Sequence, residues 1–223
     1  MAKKPANIVL IPRARLVTFH GVATKVKYNP TTKKSEPNPE GKYPATLLIP
    51  KSDNLDSIRA AIKTAIEAEA SSVPWEQWEK FLKDGNKIIE KTLKKNPEKS
   101  ADRLEFYKDQ WVLEVSSQNP PSFSIPEGGR AKVLEDAALV QRTFYSGCYV
   151  AAEINVVANR VDSGRDDPNT GDDIYNHYVN GYHNMLLKVG DGDRFGRRDA
   201  NDVFKNLLGG KTQNNPTTGT EEF

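Results

Sequence analysis

"YPATLLIPKSDNLDSIRAAIKTAIEAEA", residues 43–70, changes its hydrophobic period once, and that change decides the fold class. Over its first eight residues Tyr43, Ala45, Leu47 and Ile49 alternate onto one face, the pattern of a half-buried strand. Beyond Lys51 the apolar residues Leu55, Ile58, Ile62, Ala65 and Ile66 recur at helical spacing, and Ser52 or Asp53 is placed to cap the start. A strand therefore runs directly into an amphipathic helix.

Upstream, "RLVTFHGVATKVKYN" is rich in β-branched and aromatic residues and stops at Asn29-Pro30, a turn signal. "TTKKSEPNPEGK" then reads as a loop carrying Lys33 and Lys34, so residues 15–50 predict a long hairpin with a basic tip. Downstream, "PWEQWEKFL" predicts a short helix over 75–82, stopped by Asp84-Gly85. The lysine-rich stretch that follows is helical to about Lys95. "DQWVLEVSS" returns to alternation, with Trp111, Leu113 and Val115 inward, and "NPPSFSIPEGG" breaks it. "RTFYSGCYVAAEINVVANRV" predicts a strand pair or one bent strand with Gly147 at the kink, and "HNMLLKVGD" a last strand. Internal repeats are absent, which argues against a solenoid or propeller. About five strands, long hairpins and one strong helix predict a mainly β protein, an OB-fold-like, partly open five-stranded barrel with an inserted α-helix and long loops. A β-sandwich is the other architecture compatible with the strand count.

Charge is unevenly placed along the 223 residues. The first 51 hold ten lysines and arginines against two glutamates, a net +8, which leaves −6 for the remainder of a chain of net charge +2. Such asymmetry suggests a surface facing a polyanion. The single cysteine, Cys148, rules out an intrachain disulfide and a multi-cysteine zinc site, and its apolar surroundings suit a small buried residue. No run of about 18 apolar residues is present, and the N-terminal apolar stretch is too short for a secretory signal. The chain reads as a soluble protein of a reducing compartment, with no membrane association.

Chemistry-bearing motifs are few. His20, His177 and His183 accompany no nucleophile motif, and the spacing of the last two matches no ligand pattern. His20 is expected inside a strand in a structural role. "VDSGRDDPNTGDD" gathers Asp162, Asp166, Asp167, Asp172 and Asp173 without the terminal glutamate of an EF-hand, so a solvated acidic loop is expected. "GDGDRFGRR" lacks the lysine of a phosphate loop, and Asp191 and Asp193 would repel a phosphate. No cofactor, metal or catalytic role is expected.

The strongest pattern interleaves cations and rings. Lys25, Lys27 and Tyr28 lead into the loop with Lys33 and Lys34, and Lys42 and Tyr43 leave it. Lys25 and Lys27 share a strand face, and Arg13 and Arg15 precede them. Tyr149 shares a face with Glu153 and Asn155, opposite Val150, Ala152 and Ile154, and is the better exposed ring, whereas Tyr43 and Trp111 fall in register with core residues. Phe195, Arg197 and Arg198 set a ring beside two guanidiniums. A groove with these groups tracks a phosphate backbone while its rings stack on unpaired bases. Arg13, Arg15, Lys25, Lys27, Lys33, Lys34, Lys42, Arg197 and Arg198 are the candidate phosphate contacts; Tyr28, Tyr149 and Phe195 are the candidate platforms.

Five segments, "FHGVATKVKYNPTTKK", "KYPATLLIPKSD", "YKDQWVLEVSSQNPP", "FYSGCYVAAEINVVA" and "RFGRRDANDVF", together resemble a family of phage single-stranded-DNA-binding proteins over residues 15–204. The resemblance implies an OB-fold core that coats single-stranded DNA without sequence preference in phage replication, recombination and repair, in the cytoplasm of the infected bacterium. The chain is expected to form one DNA-binding domain over residues 1–210, with a helical, lysine-rich insertion at about 71–102 that matches the family poorly, and a flexible tail over 211–223. Related phage proteins of this class end in an acidic tail with a terminal phenylalanine that recruits replication proteins, phage or host, and can also occupy the DNA groove. Glu221, Glu222 and Phe223 match that tip, although the tail holds only two acidic side chains. Other readings of the same residues are a β-rich interaction or virion-associated domain whose hairpin faces an acidic partner, a metal-dependent nuclease using the Asp-rich loop, and a mediator that mainly anneals strands.

Overall fold

The change of period at Lys51 separates a strand from a helix. A computed structural model of the chain describes residues 7–18, 20–69, 73–97, 101–166 and 173–195. Strand β1 (Ile8–Val17) is followed by a small hairpin, β2 (Val26–Asn29) and β3 (Lys34–Pro37), and then by β4 (Tyr43–Pro50) and helix α1 (Asp56–Ala68). Short strands β5 (Glu79–Lys80) and β6 (Leu82–Asp84) lead into α2 (Gly85–Lys95). The chain continues through β7 (Gln110–Ser117), β8 (Ser122–Glu127), β9 (Arg130–Val133) and α3 (Ala137–Thr143). Two 18-residue strands, β10 (Tyr149–Asp166) and β11 (Asp173–Gly190), end the described fold.

Five of these strands make the barrel. The order β7-β4-β1-β10-β11 is antiparallel throughout, and a parallel contact between Gly181 of β11 and Val115 of β7 closes the ring. One register pair at the closure leaves the barrel partly open, the OB-fold plan. Gly181 is needed there: a Cβ at this position would lie 2.8 Å from the Phe81 ring and 3.0 Å from Val115 Cγ1.

Alternation separates the two faces of the sheet. Ala45, Leu47, Ile49, Leu113, Val115, Val150, Ala152 and Ile154 point into the main core, as their spacing predicts. Helix α1 adds Ile58, Ala61, Ile62, Ala65 and Ile66 to that core. Fully burying a side chain such as Ile62 stabilises the fold by about 1.5–3 kcal/mol. Trp111 is half-buried and packs against the same core, as does Tyr145. Cys148 is fully buried, and burial pushes its thiol up to about 11, consistent with an inert packing role.

Several elements differ from the sequence expectation. The 15–50 hairpin is two structures: β1 meets β4 only over Arg15–Val17, and β2 and β3 form a separate two-stranded sheet. His20 lies at an exposed bend rather than within a strand. Lys25 precedes β2 and does not share a strand with Lys27. Asp53 and Ser52 do not cap α1; Leu55 holds the N-cap position, and Asn54 Oδ1 accepts the Asp56 N–H at 2.6 Å. Residues 75–82 make a single 3-10 turn followed by two short strands that pair with β11 and β7, because the sheet edges offer them backbone partners. Asp84 starts a helix instead of ending one, its carboxylate accepting the Asn86 and Lys87 N–H groups of α2. "NPPSFSIPEGG" forms β8 and turns at Gly128-Gly129, both at positive φ, into β9. The final strand begins at Asp173, ten residues before its predicted start at His183, so Asp162, Asp166 and Asp173 are strand residues rather than loop residues.

Candidate nucleic-acid interface

The outer face of the barrel is organised by a bulge in β1. Val9 and Ile11 point inward, so strict alternation would bury Arg13 and Arg15 as well. Instead the four residues Ile11 to Ala14 of β1 oppose only three of β10, Ala152 to Val150. The extra residue returns Ala14 and Leu16 to the core and frees both arginines for the opposite face. Pro12, which has no N–H to give the ladder, falls in that irregular stretch, between the register pairs of Ile11 and Ala14.

Register then carries a row across the sheet. Tyr149 pairs with Arg15, Arg15 with Leu48, and Leu48 with Val112. Val17, Leu48 and Val112 form a second, smaller apolar cluster on this face, covered by Ile88, Phe106, Tyr107 and Phe195. The Arg13 guanidinium carbon lies 4.2 Å from the Tyr149 ring centroid. That of Arg15 lies 4.2 Å from the Phe195 centroid and 5.8 Å from Tyr149. Phe195 stacks on Phe106 at 4.9 Å, and Phe106 touches Tyr107 at 4.2 Å. Burial raises the Tyr107 phenol above its ordinary value, so it stays neutral.

Arg15 is fixed by two carbonyls: its Nε donates to Gly147 O at 3.2 Å and Nη2 to Asp193 O at 2.9 Å. The segment after β11 comes this close because residue 147 is glycine. Its φ is +113°, and a Cβ there would lie 1.9 Å from Asp193 O. Gly147 thus serves a close approach of two chain segments rather than a kink. The Tyr145 hydroxyl donates to Asp191 at 2.9 Å and accepts from the Gly192 N–H at 3.2 Å. Lys188 pairs with Asp191 at 2.7 Å, and its hydrogen bond is the main reason that carboxyl titrates below its usual range. A guanidinium held by carbonyls and faced by rings presents its remaining donors in a set direction.

Between these groups lies a cavity of about 410 Å³ lined by Arg13, Arg15, Leu48, Phe106 and Tyr149, together with Asp53 and Gln110. A second cavity of about 410 Å³ is lined by Val17, Thr18, His20, Lys34 and Thr46. Because Arg15 faces Leu48 and Val17 faces Thr46, the two cavities are neighbours on the same sheet face. Glu114, opposite Thr46, is held in an ion pair by Lys83.

The basic hairpin borders the second cavity. Lys33 sits at positive φ in its turn, and both Lys33 and Lys34 are exposed without an ion-pair partner among the described residues. Tyr28 is 61% exposed. Lys27 is tied to Glu40 at 3.0 Å, and Lys25 lies 5.5 Å from the half-buried Tyr43 ring. Lys42 is exposed and joins β2 by a bridge to Val26.

The structure therefore brings Arg13, Arg15, Tyr149 and Phe195 into one cluster, and sets Lys25, Lys27, Tyr28, Lys33, Lys34 and Lys42 beside it. Arg197, Arg198, Glu221, Glu222 and Phe223 lie outside the described residues. Sequence reading missed Phe106 and Tyr107, the aromatic pair just before β7 that roofs the cluster. His177 packs edge-on against Trp78 at 4.9 Å. Burial holds His183 down at about 4, neutral inside the barrel. Among the described residues no group of three or more His, Cys, Asp or Glu side chains is placed to hold a metal ion. No helix among them is long and apolar enough to cross a membrane.

The sequence profile of the family described as Enterobacter phage Enc34, ssDNA-binding protein, matches residues 25–215. The chain belongs to this family. Solved structures of the Enc34 protein share the fold. The one in complex with ssDNA superposes with a TM-score of 0.56 at 19% identity, covering 87% of this chain and 97% of that one. A C-terminally truncated Enc34 protein gives 0.57 at 20% identity, covering 87% and 95%. No curated protein sequence matches the chain.

Proposed function

We propose that this protein binds and coats single-stranded DNA, during phage DNA replication, recombination and repair, in the cytoplasm of the infected bacterium. The observation that carries this reading is the continuity of the Arg13, Arg15, Tyr149, Phe106 and Phe195 cluster with the lysine hairpin on one face of an OB barrel. Membership of the Enc34 family supports it. Lys25, Lys27, Lys33, Lys34 and Lys42 track the backbone with Arg13, Arg15, Arg197 and Arg198, while Tyr28, Tyr149 and Phe195 stack on bases. Both kinds of contact tolerate any sequence. Stacking needs unpaired bases, so duplex DNA is disfavoured. Glu221, Glu222 and Phe223 form a handle for phage or host replication proteins.

Fluorescence anisotropy with labelled oligo-dT and a matched duplex, across a salt series, tests the reading. The expected result is tighter binding of oligo-dT, with a log–log salt slope of about −0.7 per phosphate contacted. Absence of oligo-dT binding at low salt would overturn it.

A further inference from the structure

Asp53 is out of place on a surface that faces a polyanion. It stands in the cavity with Arg13, Arg15, Phe106 and Tyr149, yet the helix behind it does not use it. Asn54, not Asp53, accepts the Asp56 N–H. The Asp53 carboxylate accepts only the neighbouring Ser52 hydroxyl, at 3.3 Å, and forms no ion pair among the described residues. Its backbone N–H closes a turn onto Pro50 O at 3.0 Å, and Pro50 faces Gln110 across the β4–β7 ladder. The Gln110 side chain, also lining the cavity, makes no hydrogen bond among the described residues. The cavity thus holds rings, two guanidiniums, one acceptor-only carboxylate and one free amide, and its volume falls in the range of about 300–1,000 Å³ usual for small-ligand sites.

We propose that this cavity is a slot for a single guanine base of the bound strand, read on its Watson–Crick edge by Asp53; the proposal rests on the single-stranded-DNA reading above. Guanine alone among the four bases presents two adjacent donors, N1–H and the exocyclic N2–H, which match both oxygens of a carboxylate. Its O6 and N7 are acceptors and suit the Gln110 amide or an arginine. Thymine presents two carbonyls around its single N–H, and these repel the carboxylate. Tyr149 and Phe106 supply the stacking surface, as in other single-strand sites. The rest of the groove stays indifferent to sequence, so the preference is confined to one base per bound copy.

The test titrates the full-length chain with oligo-dT, with same-length oligo-dT carrying isolated guanines, and with the same oligomer carrying hypoxanthine in place of guanine. Hypoxanthine stacks similarly but lacks the N2 amine, which separates edge reading from stacking strength. The expected order is guanine, then hypoxanthine, then thymine alone. The guanine oligomer should bind about tenfold more tightly than oligo-dT, with the same salt slope, because base reading releases no counterions. In Asp53→Ala the guanine advantage should collapse to less than twofold, and oligo-dT itself should bind more tightly once the negative charge is gone. Equal binding of all three oligomers by the native chain would overturn the slot and leave the single-strand reading standing. A guanine advantage that survives Asp53→Ala would overturn the role of Asp53. Failure to bind any oligomer would overturn both proposals together.

Discussion

The two halves of the interface are built differently. The arginine–aromatic cluster is pinned: Arg15 donates to two carbonyls, rings face it, and Gly147 lets the segment after β11 lock down beside it. The β2–β3 hairpin is a two-stranded sheet of four-residue strands, with Lys33 and Lys34 exposed to solvent. Stacking on the cluster's rings releases no counterions and so depends weakly on salt, whereas Arg13 and Arg15 add to the salt slope where they meet phosphates. Exposed, hydrated ammoniums contribute through counterion release, and their effect fades as salt rises. One interface therefore divides its work between a rigid half that stacks and a solvated half that attracts.

Acid breaks this contrast most severely, because the cluster depends on the barrel. His183 is buried with neither ring nitrogen hydrogen-bonded among the described residues, and burial lowers it to about 4. The folded protein keeps it neutral, whereas the unfolded chain takes up a proton near the ordinary value of 6.5. Stability from this group is thus complete above about pH 6.5 and falls as the pH drops towards 4, by about 3 kcal/mol in total. Urea unfolding at pH 7 and pH 4.5 should show that loss, and His183→Leu should flatten it. An unchanged pH slope in His183→Leu would mean that another group controls the acid limb.

A smaller effect is expected from Tyr149→Ala, which removes the ring that Arg13 covers. Oligo-dT affinity should fall by about 1–3 kcal/mol with the salt slope unchanged. Smaller still is the cost of changing Lys33 and Lys34 together to alanine. The salt slope should become shallower by about 1.4, from about 0.7 per lost phosphate contact, and thermal stability should not move. If Tyr149→Ala changed the slope and the lysine pair did not, the division between the halves would be reversed.

Sequence pattern revealed the barrel better than the site. β4, α1, β7 and the first part of β10 could be read because their apolar residues repeat with a single period against one core. The β1 bulge could not: Val9, Ile11, Arg13 and Arg15 alternate perfectly, and only pairing with β10 shows that the register slips between them. Tyr149 was found because its neighbours Val150, Ala152 and Ile154 mark the opposite face. Phe106 was missed because its role depends on Val17, Leu48 and Val112, three residues on three strands far apart in the chain. The cap of α1 was misassigned because Ser52, Asp53 and Asn54 all have capping chemistry, whereas the backbone puts Leu55 at the N-cap and leaves Asn54 to accept the Asp56 N–H from one position earlier.

DNA is expected to lie on the outer face of β1, β4 and β10, across Arg15 and Tyr149. Photocrosslinking of the full chain to oligo-dT carrying 5-iodouracil, followed by mass-spectrometric mapping, locates the bases directly. Crosslinks are expected at Tyr149 and Phe106, with hairpin crosslinks at Tyr28. Crosslinks confined to the distal half of the β10–β11 ribbon, with none at Tyr149 or Phe106, would contradict that placement.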